Sequence, residues 1–191
     1  MVAGIHDIPA GDWMTSQRNS AFLGDRMLQR WCDLVVWEQL LDHNPQLKSV
    51  IELGTYNGAF STYLFMQCCA RGMQFETIDN NPGIIIASNA LRAIAKLGAK
   101  FITADVWDGH TVKYLIDSMP HPLVLFCDDG DKPREFRTFG PLLTKGDIIA
   151  THDWTEEFGP DDALPIAHMT EPYLHEECEE IGSITRFWKI K

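Results

Sequence analysis

The sequence predicts an α/β fold, a doubly wound and mostly parallel sheet with a helix ahead of it and an antiparallel strand at its end. Three observations carry this expectation. Short apolar runs recur at 50–53, 75–79, 100–104, 123–127 and 147–151, with room for a helix between successive runs. Gly54 and Gly58 follow the first run directly, as a sharp strand-to-helix turn requires. The intervening segments carry helix starts and stops, among them Asn81-Pro82, Pro133 and Lys145-Gly146.

The elements follow in order. Residues 1–20 read as an irregular N-terminal segment in which Trp13 and Met14 are isolated apolar residues, either a plug for a sheet edge or partly disordered, or a lid over the site. Residues 22–43 show helical spacing, with Leu23, Met27, Trp31, Leu34 or Val35, and Leu41 on one stripe, ended by Asn44-Pro45. The first strand is 50–53 and its helix spans 59–70. The second strand, 75–79, precedes a helix that Asn81 caps and that runs through 84–97. The third strand is 100–104, after which Asp108 is placed to cap a helix reaching Met119. Pro120 and Pro122 bracket the turn into the fourth strand, 123–127. Pro133 opens a helix ending near Thr144, and the fifth strand is 147–151. The last strand, 184–190, is expected antiparallel, with one further edge strand missing or very short.

The chain has 191 residues, matching one domain over 1–191. No run approaches the ~20 apolar residues of a membrane helix, and residues 1–11 do not form a signal peptide. The net charge of −11 argues against nucleic acid and anionic membrane as partners and suits a cationic ligand or a divalent ion. Five cysteines in mostly apolar surroundings, without a C-x-x-C, read as reduced thiols of a cytoplasmic protein.

The turn after the first strand carries the most chemical information. Its glycines are four apart, with Thr55, Tyr56 and Asn57 between them, and Glu52 sits two residues before the first. A pyrophosphate turn has the spacing G-x-G-x-x-G. A carboxylate at the strand end instead suits a cationic or amine-bearing ligand. Asp79 ends the second strand, 21 residues after Gly58, where an acid can accept both hydroxyls of a ribose.

Glu52-Leu53-Gly54-Thr55-Tyr56-Asn57-Gly58, with the small hydroxyl Ser61 beyond, resembles motif I of the class I S-adenosylmethionine (SAM) methyltransferases. It looks most like catechol O-methyltransferase and its bacterial tailoring relatives. The resemblance covers roughly residues 48–154 and implies a Rossmann-like methyltransferase fold and SAM as cofactor. It implies that Glu52, Gly54, Tyr56, Gly58 and Ser61 line the methionine side, that Asp79 holds the ribose, and that Asp105 and Val106 meet the adenine. Asp105 and Asp108 are equally placed as helix caps.

The fourth strand delivers Asp128, Asp129, Asp131 and Lys132, and the fifth delivers His152, Asp153 and Trp154, to one edge of the sheet. Uncompensated carboxylates repel, and Mg²⁺ or Mn²⁺ would resolve the repulsion. By resemblance, Asp128 and Asp153 match metal ligands of the catechol-type enzymes, and Asp128 also borders the cofactor. His152 replaces an Asp. The family's lysine, three residues after the first Asp, falls on Asp131, so Lys132 or His152 is the candidate general base. Glu156, Glu157, Asp161 and Asp162 read as a solvated loop, and Arg134 and Arg137 as partners of surface acids.

The expected function is SAM-dependent O-methylation of a small-molecule hydroxyl, with metal assistance left open. The alternatives are a metal-dependent hydrolase using Asp128, His152 and Asp153, and a non-catalytic SAM-binding module. Homo-oligomerisation is open.

Overall fold

The computed structural model describes residues 20–22, 25–81, 88–108 and 110–191. In chain order the elements are β1 (Ser20–Phe22), β2 (Asp25–Met27), α1 (Trp31–His43), β3 (Ser49–Leu53), α2 (Ala59–Arg71), β4 (Gln74–Asp79), α3 (Asn89–Ala95) and β5 (Lys100–Thr103). They continue with α4 (Thr111–Ser118), β6 (Leu123–Cys127), α5 (Lys132–Phe139), β7 (Ile148–Thr151), α6 (Pro160–Ala163), β8 (Thr170–Tyr173), α7 (His175–Glu180) and β9 (Arg186–Ile190).

The main sheet has seven strands in the order β5-β4-β3-β6-β7-β9-β8. β3 to β7 pair in parallel, while β9 runs antiparallel to both β7 and β8. The sheet is thus the expected Rossmann-like α/β sheet. β3 and β6 are buried at every residue because both faces are covered. Alternate side chains feed two apolar layers. Val50, Val124, Phe126 and Ile148 face one, and Ile51, Leu53, Leu125 and Ile149 face the other. Trp37 of α1 is fully buried in the first layer, edge-on to Phe60, Phe126 and Phe187 with ring centroids 6.0, 5.1 and 5.4 Å away.

From β3 the chain builds outward through β4 to β5, then returns to β6 on the other side of β3. This reversal opens a crevice beyond the carboxyl ends of β3 and β6, where such sheets bind ligands. In register, Leu53 pairs with Cys127, so Gly54 and Asp128 leave the sheet side by side.

Several elements differ from expectation. The helix placed over 22–43 begins at Trp31, and the antiparallel pair β1–β2 precedes it. The Asp33 carboxylate accepts from the Arg30 backbone N–H at 2.7 Å and closes the helix end there. Met27 is buried as expected, but from β2. The sheet edge is complete, since β8 is present beside β9. Its Glu171 and Pro172 are exposed, and no apolar alternation marks it. Helix α4 is preceded by His110, so Asp108 is not its cap. The helix after Pro133 stops at Phe139, where Gly140 and Pro141 turn it into a 3₁₀ segment. Asp131 caps α5, accepting from Arg134 N–H at 3.1 Å. α3 is capped by Ser88, whose Oγ accepts from Leu91 N–H at 3.0 Å. Residues 1–19, with Trp13 and Met14, and 82–87, including Pro82, lie outside the described residues. Four of the five cysteines are buried, and only Cys69, in the last turn of α2, is exposed.

Candidate functional site

The turn after β3 is held open by its glycines. Gly54 has φ +94°, and a Cβ there would lie 2.4 Å from the Asp128 backbone oxygen. Only glycine lets β3 and β6 separate at this distance. Gly58, at φ +75°, starts α2, and a Cβ there would strike the Leu91 side chain at 2.0 Å. The turn is stitched by Gly54 N–H to the Ile78 carbonyl and Gly58 N–H to the Thr55 carbonyl, both 2.9 Å.

Beyond the turn lies a cleft of about 570 Å³, lined among others by Glu52, Gly54, Asp79, Asp128, Lys132 and His152. Arg26, Leu28 and Gln29 border it from the N-terminal side.

Glu52 is 1% exposed yet reaches this cleft. Burial pushes its carboxyl up to about 8, against the Ser61 and Thr77 hydroxyls beside it. Oε2 of Glu52 and Oγ of Ser61 have no hydrogen-bond partner among the described residues. A buried carboxyl oxygen without a hydrogen-bond partner costs free energy until one arrives. An ammonium group of a ligand would supply it.

Asp79 ends β4 and serves the turn as well. Its Oδ2 accepts from Tyr56 N–H at 2.9 Å and its Oδ1 from Asn81 N–H at 2.8 Å. One acceptor position on each oxygen remains for a ligand. Tyr56 itself has φ +48° and is exposed. Asp105 is exposed at the end of β5, with Oδ1 accepting from Trp107 N–H at 2.9 Å. Val106 is buried in the second apolar layer. Neither lines the cleft, but Asp105 stands near enough to help burial and Asp79 raise the Asp129 carboxyl. These residues fit a nucleoside carrying an amino acid: an unpartnered acid at one end, a bare glycine in the middle and a ribose acceptor at the other.

The second half of the site is a charged knot. Asp128, His152 and Asp153 offer donor atoms within 4.8 Å of one another, the grouping the sequence proposed for a metal. His152 Nδ1 lies 3.5 Å from Asp128 Oδ1 and 3.2 Å from Asp153 Oδ1. Its Nε2 lies 3.4 Å from Asp33 Oδ2. Burial would push the ring's pKa down, but Asp128, Asp153 and Asp33 outweigh burial and hold it well above its ordinary value. Lys132 Nζ lies 3.1 Å from Asp153 Oδ2, 2.8 Å from Glu157 Oε2 and 3.6 Å from Asp128 Oδ1. Its ammonium is likewise held charged against burial. Gln29 Nε2 donates to Asp128 Oδ2 at 2.6 Å. Each of the four carboxylate oxygens of Asp128 and Asp153 therefore has a donor from the chain within 3.6 Å. The carboxylates that seemed uncompensated have two internal cations, Lys132 and His152.

Sequence reasoning missed three participants. Asp33 is fully buried in α1 and orients His152 from behind; an acid within an apolar helical run was the available signal. Gln29 gave no signal. Glu157 was assigned to solvent but pairs with Lys132, and Glu156 pairs with Arg30 at 3.5 Å. Arg134, read as a partner of surface acids, stacks over the Trp107 ring at 3.8 Å. Trp154 packs with Phe158, His175 and Trp188 toward the last strands.

No protein-family model and no curated protein matches this sequence. Solved structures do. cmcI with Mg-SAM superposes with a TM-score of 0.69 at 16% identity, over 90% of this chain and 77% of that one. cmcI with SAH gives 0.54 at 20% identity, over 70% and 66%. A mutant of MtNAS in complex with S-adenosylmethionine gives 0.55 at 14% identity, over 83% and 62%. The chain has the fold of the class I SAM-dependent methyltransferases.

Proposed function

We propose that this chain is a SAM-dependent methyltransferase acting on a hydroxyl of a small molecule. The observation that carries the reading is the unpartnered Oε2 of Glu52, a buried acid among the residues that line the cleft behind the glycine turn. The similarity to structures solved with SAM and SAH supports it.

Bound SAM supplies an electrophilic methyl group on sulfur. Glu52 receives the ligand's ammonium, with Ser61 beside it. Gly54 and Gly58 let the methionine portion approach the backbone, and Tyr56 covers the turn. Asp79 accepts from the ribose hydroxyls, while Asp105 and Val106, which the resemblance implies for the adenine, stand back from the cleft lining. Asp128 separates cofactor from acceptor. Lys132 and His152, offered by the sequence as general bases, are both held charged with their N–H donors on carboxylates, so here they fix Asp128 and Asp153 beside the acceptor rather than take its proton. Transfer is an in-line displacement, so holding oxygen and methyl in near-attack geometry supplies most of the acceleration. Asp128 and Asp153, which lie against both cations, are the carboxylates that would receive the proton the acceptor hydroxyl loses. No step is assigned to Mg²⁺ or Mn²⁺.

The test is calorimetric titration with S-adenosylhomocysteine of the unmodified protein and of Asp79→Ala. Micromolar binding, about 8 kcal/mol, is expected for the first and none for the second, with circular dichroism confirming that both fold. Absence of binding by the unmodified protein would overturn the reading.

A further inference from the structure

The geometry points to Lys132 as the resident cation of the Asp128–Asp153 pair, its ammonium standing where a divalent ion would otherwise be held, so that the acceptor site works without a metal. The inference deepens the proposed function and rests on it.

Lys132 is 4% exposed and is the first residue of α5. A cation at a helix N-terminus faces the positive end of the helix dipole, and burial adds a second cost. The position is tenable because the ammonium is fully matched. Its three N–H donors meet Glu157 Oε2 at 2.8 Å, Asp153 Oδ2 at 3.1 Å and the Asp129 backbone oxygen at 3.1 Å. Asp128 Oδ1 stands 3.6 Å away on the remaining side.

The same two carboxylates are the oxygen ligands a divalent ion would need, and among the described residues they and His152 form the one grouping able to hold it. Mg²⁺ or Mn²⁺ binds oxygen at about 2.1 Å. An ion held by the Asp153 oxygen that Lys132 contacts would thus sit within about 5 Å of Nζ, where like charges repel strongly in a buried site. Ion and ammonium compete for one place, and the lysine is covalently present.

The experiment is Mn²⁺ uptake, read by the electron paramagnetic resonance signal of free Mn²⁺, for the unmodified protein and for Lys132→Met. S-adenosylhomocysteine binding is titrated separately for both, so failure of the cofactor reading is distinguishable from failure of this one. The unmodified protein is expected to leave Mn²⁺ free. Lys132→Met is expected to take up one equivalent with a dissociation constant on the order of 10⁻⁴ M. Uptake by the unmodified protein as tight as by the variant would overturn the inference, and so would no uptake by either. Should Lys132→Met fail to fold, the unmodified protein decides. Its S-adenosylhomocysteine affinity and melting temperature are expected to be the same in chelator and in millimolar Mg²⁺. A chelator-induced loss restored by Mg²⁺ would overturn the inference.

Discussion

Asp33 and His152 are 119 residues apart in sequence and meet in the interior, His152 Nε2 3.4 Å from Asp33 Oδ2. The other oxygen, Oδ1, accepts from Ser183 Oγ at 2.6 Å, Ile184 N–H at 3.0 Å and Thr185 N–H at 3.2 Å. One carboxylate thus joins the start of α1, the end of β7 and the approach to β9.

Asp33→Asn should therefore be costly. It removes the charge that His152 faces and leaves buried donors poorly matched. Losing one partner of a buried pair costs about 3–5 kcal/mol. Urea unfolding checks this. A change below about 1 kcal/mol would show that the knot is not held from Asp33.

Gly54→Ala should be worse than Gly58→Ala. At Gly54 the new Cβ meets the Asp128 backbone, whereas at Gly58 it meets the Leu91 side chain, which can move. Positive φ penalises both. We expect Gly54→Ala to lose about 2 kcal/mol or more of stability together with S-adenosylhomocysteine binding. Gly58→Ala should keep measurable affinity. The reverse ranking in paired calorimetry and urea melts would refute this account of the turn.

Stability should fall as pH rises from about 4.5 toward 8. Glu52 and Glu135 both have carboxyls raised from 4.5 to about 8, chiefly by burial. The folded state therefore holds their protons more tightly than the unfolded chain. The contribution is fully present below 4.5 and is lost as pH rises through about 8. Each group changes stability by at most about 1.4 kcal/mol per pH unit in this window. Glu52→Gln should flatten the slope only in part, because Glu135 remains. An unchanged slope would remove Glu52 from this role.

The same shift predicts proton release on cofactor binding. A neutral Glu52 that meets an ammonium ionises. S-adenosylhomocysteine titrated near pH 7 in buffers of different ionisation enthalpy should show release of a fraction of one proton, absent in Glu52→Gln. Buffer-independent heats would sink the ammonium contact.

Asp153→Ala should separate the two halves of the site. Its carboxylate touches Lys132 and His152 but nothing in the glycine turn. Affinity for S-adenosylhomocysteine should stay within about threefold while methyl transfer falls about 10²-fold or more, the usual scale for a lost positioning group. A proportional loss of both would merge the halves.

The parallel strands were legible because strands covered on both faces must be apolar throughout. β3 and β6 meet this at every position except Ser49 and Glu52. Glu52 stood out for the same reason. The β1–β2 pair was illegible because Leu23, Met27 and Trp31 happen to continue the helical stripe, and only the Asp33–Arg30 contact ends it. β8 was illegible because an edge strand can carry Glu171 and Pro172. The charged knot was half legible. Strand-end acids announce themselves, but whether a lysine four residues along folds back onto them depends on where α5 starts.

The distribution of thiols turns the molecule into its own unfolding clock. Cys69 lies far along α2, a helix of 13 residues that begins at the cleft, so at 1.5 Å per residue it stands well away from the ligand. A thiol reagent should consume it at once. The other four report only when the two apolar layers part, at rates set by opening rather than by reagent. Counting slow thiols with and without a nucleoside ligand would then measure how far occupancy at one end of the sheet protects the whole interior.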